Sequence, residues 1–70
     1  MRTTVYVIWT RRPGRAWWPA AVSERKGDAI SEAEKLFDEH ALFGDQAAVV
    51  VERVGAKERT VVWTKRPERS

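Results

Sequence analysis

The side chains that could do covalent or proton-transfer chemistry are few in this chain and badly placed for it. Asp38, Glu39 and His40 are consecutive, so on a helix they point in different directions, whereas general acid–base work needs titratable groups gathered in a cleft. His40 falls on an apolar stripe and is expected as a partly buried core histidine. Ser31 opens a Ser-x-x-Glu pattern with Glu34, which reads as a helix cap and not as a nucleophile. Gly27 before Asp28 and Gly44 before Asp45 are turn signals, and no glycine-rich phosphate loop is present. A single histidine and no cysteine leave neither a zinc cluster nor a thiolate site. The expectation is a protein without catalytic, cofactor-binding or metal-binding residues and without a small-molecule substrate.

Binding chemistry is better represented. Arg11, Arg12 and Arg15 stand within seven residues of the adjacent indoles Trp17 and Trp18. Guanidinium groups neutralise phosphates and release counterions, and an exposed indole stacks on an unpaired base. A second copy of the same chemistry lies near the other end. Residues 7–15 and 61–69 share the pairs Val7/Val61, Trp9/Trp63, Thr10/Thr64, Arg12/Arg66, Pro13/Pro67 and Arg15/Arg69. Lys65, Arg66 and Arg69 thus echo Arg11, Arg12 and Arg15. The copies are too short, and their surroundings too different, for a repeat architecture.

The elements that must position these groups follow from local pattern. Residues 3–10 are almost wholly β-branched or aromatic and read as a first strand. Pro13 and Gly14 suit the two central positions of a type II turn, because proline presets the first φ and glycine supplies the positive one. Residues 16–23 return as a second strand that Pro19, lacking a ladder donor, confines to a sheet edge or a bulge. After a polar connection at 24–28, a helix is expected from Ser31, with Ala33, Leu36, Phe37, His40 and Ala41 on its apolar stripe. Glu32, Glu34, Lys35, Asp38 and Glu39 fall on its wet side, and Gly44 stops it. Residues 46–54 and 58–64, joined by a short turn, read as an antiparallel pair.

The predicted fold class is therefore α+β: a small antiparallel sheet of three or four strands with one helix on one face, in β-β-α-β-β order. Seventy residues make one domain, expected to span 1–70 with a frayed tail at 66–70, and a chain this short has a thin margin of stability. The first ten residues read as a strand and not as a signal peptide, and no apolar run reaches the roughly 18 residues of a membrane span. Together with the lack of cysteine this suggests a cytoplasmic protein with no membrane partner.

The net charge of +3 is unevenly spread. Residues 1–15 carry four basic and no acidic side chains, 16–45 three basic and seven acidic, and 46–70 six basic and three acidic. An anionic partner should be met by the ends of the chain. If the second strand forms, the first and last strands run the same way, and Arg11, Arg12, Arg15, Lys65, Arg66 and Arg69 collect along one rim.

Both sides of the strands are apolar, and one helix covers only one sheet face. With Val5, Val7 and Trp9 assigned to the core beside Trp63, the set Tyr6, Ile8 and Val62 becomes an outer face open to a protein partner or a second copy. Alternation sends one of Trp17 and Trp18 inward, and Trp18 is chosen as the outward contact, since tryptophan often dominates interface energy. The resulting expectation is a non-enzymatic protein-interaction module, homodimeric or bound to another protein. Nine arginines against four lysines reflect high-GC coding and suit a small accessory or inhibitory protein of a phage or mobile element. The competing expectation is a nucleic-acid-binding protein that uses the basic Arg/Trp rim.

Overall fold

The computed structural model describes residues 4–42, 44 and 46–67. Four strands and one helix follow in the order β1 (Val5–Arg11), β2 (Trp18–Ser23), α1 (Lys26–Leu42), β3 (Ala48–Val54) and β4 (Arg59–Lys65). The strands form one sheet in the spatial order β2-β1-β3-β4, and every neighbouring pair is antiparallel. This is the expected α+β class with all four strands present.

Local chemistry accounts for each boundary. Gly14 adopts a positive φ of 74° and the Arg15 N–H donates to the Arg12 carbonyl at 3.0 Å, which closes the turn between β1 and β2. Pro19 is tolerated because β2 is an edge strand and because the register slips there: Ile8 faces Ala21 while Trp9 faces Pro19, leaving Ala20 as the extra residue. Gly44, at φ 81°, ends the helix and donates its N–H to the Ala41 carbonyl.

The helix begins five residues earlier than the Ser31 capping pattern suggests. The Arg25 carbonyl accepts the first helical hydrogen bond, from the Ala29 N–H at 3.0 Å. Ser23 Oγ accepts the Arg25 N–H at 3.3 Å and steadies the entry. Asp28 sits in the first turn, where the helix dipole favours an acid. The extra turn brings Ala29 under the sheet four residues before Ala33, and both are fully buried. Ser31 is instead an exposed mid-helix residue, and Ala41, expected on the stripe, is exposed as well.

The helix packs chiefly on β3. The core is Ile8, Val49 and Val51 against Ala29 and Ala33, flanked by Tyr6, Leu36, Phe37, Val62 and Trp63. Alanines on the helix let it approach closely, and three aliphatic side chains from β1 and β3 fill the space. Ile8 is only 1 % exposed, so the assignment of sheet faces is the reverse of the expected one. Tyr6, Ile8 and Thr10 point to the helix, and Val5, Val7 and Trp9 point away from it. Val62 also belongs to the helix side, because β4 carries one extra residue there: Trp63 faces Val51 and Val61 faces Glu52.

Candidate functional site

Two surfaces emerge from this arrangement. The first is the sheet face opposite the helix. Strand alternation and register place Val5, Val7 and Trp9 of β1 beside Val54, Glu52 and Val50 of β3. Val61 of β4 stands next to Glu52, and Val22 of edge strand β2 stands next to Val7; both are exposed. Among these valines the Glu52 carboxylate is held from two sides. Arg59 Nη2 donates to Glu52 Oε1 at 2.8 Å, and Trp9 Nε1 donates to the same oxygen at 3.2 Å. Its charge is balanced within the chain, so the apolar face has no unmatched acid at its centre.

Tyr6, Ile8 and Val62, the three strand residues expected to form this contact face, lie on the helix side and pack in or against the core. Sequence reasoning missed Val7, Trp9 and Glu52 for a physical reason. Both faces of β1 are apolar, so alternation alone does not say which is covered. The signal was in β3, where Glu52 among valines marks the even positions as the uncovered ones and leaves Val49 and Val51 for the core.

The second surface is the end of the sheet where β1 and β4 both finish. These strands run the same way, each antiparallel to β3, and Arg11 faces Ala48 while Lys65 faces Val49. Arg11 and Lys65 therefore lie at the same end, with Arg12 and Arg66 just beyond them and Arg15 in the β1–β2 turn. Arg69 lies outside the described residues. The adjacent indoles divide differently from the expected one-in, one-out pattern: Trp17 is 40 % and Trp18 70 % exposed, and neither joins the core. Trp18 is exposed, but it stands opposite Thr10 and so on the helix side of the sheet, not on the open face. The Arg11 guanidinium sits 5.7 Å from the Trp17 ring centroid, and Lys65 Nζ lies 4.8 Å from the Phe37 ring, both within reach of a cation–π interaction.

Between this turn and the helix lies an open groove of about 670 Å³, whose lining includes Arg12, Arg15, Trp17, Trp18, Leu36 and His40. His40 is half-buried on the helix. Thr10 also lines the groove, and its buried hydroxyl has no hydrogen-bond partner among the described residues.

No protein-family model, curated protein or solved structure matches this chain. Asp38 and Glu39 lie exposed on the helix. Among the described residues no three His, Cys, Asp or Glu side chains gather as a metal ion would require, and no helix is long and apolar enough to cross a membrane.

Proposed function

We propose that this chain is a non-catalytic interaction module of the cytoplasm whose working surface is the uncovered sheet face, and that this face packs against the same face of a second copy. The observation that carries the reading is a valine-rich sheet face around a charge-balanced Glu52 with no layer over it among the described residues. Stable domains usually bury a sheet's apolar side against another layer. The core on the other side is thin, since among the described residues two of its five buried members are alanines, and a sheet-on-sheet contact would add a second one.

Symmetry supports a second copy as the occupant, since two-fold homodimers are the commonest soluble oligomers. A two-fold contact also demands a self-complementary patch. A valine-rich face whose central Glu52 is already paired with Arg59 meets that demand, because valines fit valines and Glu52 needs no partner across the interface.

Sedimentation velocity over a concentration series tests this. Wild type is expected to form dimers, and Val7→Lys with Val50→Lys, both on the open face, to give monomers with unchanged far-UV circular dichroism. Those monomers separate lost association from lost folding. Ile8→Ser, by contrast, should unfold the chain, because it puts a hydroxyl into the core. A wild-type monomer at millimolar concentration, or dimers that survive both lysines, would end the reading.

A further inference from the structure

The Arg/Trp end of the sheet has chemistry that the sheet-face reading does not use. From this juxtaposition we infer that the groove between the β1–β2 turn and the helix binds single-stranded nucleic acid, stacking an unpaired base on Trp18 while the arginines at the ends of β1 and β4 hold the phosphates.

Exposure comes first. Trp18 is 70 % exposed although its indole is the largest apolar group a chain has, and it lies on an edge strand with no neighbour beyond it. Its companion Trp17 is steadied by Arg11 at 5.7 Å, which leaves that guanidinium beside an aromatic plane. An arginine and an aromatic ring so disposed offer a base a stacking surface and its phosphate a counter-charge.

Charge sign comes second. Residues 11–18 contain three arginines and no acid, and Lys65 and Arg66 reach the same end from β4. Neighbouring strands are about 4.8 Å apart, so the backbones of β1 and β4, separated only by β3, end about 10 Å apart, with Arg11 beside Ala48 on the open side and Lys65 over Phe37 on the helix side. The opposite end of the sheet differs: there Lys57 and Arg53 share a shallow hollow with Glu58, and the signs are mixed.

Lining and charge favour a single strand over a duplex. The open groove is lined in part by Trp17, Trp18 and Leu36, apolar surface that suits a splayed base. The exposed face of α1 carries Glu32, Glu34, Asp38 and Glu39, which would repel the phosphates on both sides of a major groove. Reading of unpaired bases by aromatic side chains is the mode that remains. An acidic peptide would use the arginines but gain little from Trp18.

The test is fluorescence anisotropy of the full chain with a labelled oligothymidylate, a labelled duplex of the same length and polyglutamate as an acidic competitor. The oligothymidylate is expected to bind more tightly than the duplex and to resist polyglutamate. Its log affinity should fall with log salt at a slope of about −3 for four phosphate contacts on a single strand. Trp18→Ala should weaken binding roughly tenfold, the loss of one stacked base, and Arg15→Glu with Arg66→Glu should abolish it. Lys57→Glu, at the far end, is the matched control and should change affinity little. All these side chains are exposed, so folding is expected to persist and is checked by circular dichroism. Equal affinity for the duplex, displacement by polyglutamate, no effect of Trp18→Ala, or a Lys57→Glu effect as large as that of Arg15→Glu would each overturn the inference. Because the variants leave the valine face intact, dimerisation and this binding can fail independently.

Discussion

Trp9 and Trp63 stand at matching places in two nearly identical segments, yet they end on opposite sides of the sheet. Trp9 faces Val50 on the open side and donates its indole N–H to Glu52. Trp63 faces Val51 and packs against the core beneath the helix. Counted straight from Val61, which faces Glu52 on the open side, Trp63 would also point outward. One extra residue in β4, at Val62, turns it in. A bulge shifts every later side chain to the other face, and Lys65 consequently comes to lie over Phe37 on the helix side. Identical residues thus meet different fates because the ladder between them gains a residue, which no comparison of the two segments reveals.

The largest way to break this comparison is to truncate the two indoles in parallel. Trp63→Ala should cost about 3 kcal/mol, the low end for a core tryptophan because the ring is half-buried. A chain of this length has only about 3.5–10 kcal/mol to lose, so the variant should be partly unfolded in water. Trp9→Ala, with its ring on the open face, should cost less than half as much in dilute solution. Urea midpoints by circular dichroism provide the readout, and equal losses would mean that the two rings share a side after all.

How much of this was legible in the sequence depended on which pattern was unambiguous. The first, third and fourth strands were, because their β-branched runs are punctuated by Pro13, Gly14 and Gly55, whereas Pro19 left the second open. That β1 and β4 finish at the same end of the sheet was legible too, since it follows from the direction of four antiparallel strands once β2 exists. The faces were not. Tyr6 and Ile8 on one side of β1 and Val7 and Trp9 on the other are equally apolar, and a reading that cannot separate them has an even chance of inversion. The helix start was hidden by two competing local signals. Gly27 and Asp28 resemble a turn, and Ser31 with Glu34 imitates a cap, while the deciding contribution is tertiary: the burial of Ala29 against the sheet.

Deleting Val62 sharpens the same comparison at a smaller cost. The deletion restores a regular ladder: Val61 still faces Glu52, Trp63 still faces Val51, and only the Val62 contact with the core is lost. The expected penalty is about 1–2 kcal/mol for a partly buried valine, with the near-UV dichroism of Trp63 retained. If β4 were regular, the same deletion would swing Trp63, Thr64 and Lys65 to the wrong faces and abolish cooperative unfolding. The two outcomes are far apart, so a single denaturation curve distinguishes them.

The smallest effect concerns the outward member of the pair. Trp9→Phe keeps the ring on the open face but removes the N–H that reaches Glu52 Oε1 at 3.2 Å. The carboxylate keeps Arg59 at 2.8 Å, and in the monomer water can replace the lost donor, so stability should fall by about 1 kcal/mol or less. In the proposed dimer water would be excluded, and the same lost donor would leave Glu52 with a single partner in an apolar surround, where a missing hydrogen bond is more costly. Trp9→Phe should therefore weaken self-association by more than it lowers monomer stability. Measured dimer dissociation constants beside monomer unfolding free energies give the ratio. An effect confined to unfolding would place Trp9 and Glu52 outside the contact and separate the indole's role in the fold from any role at the interface.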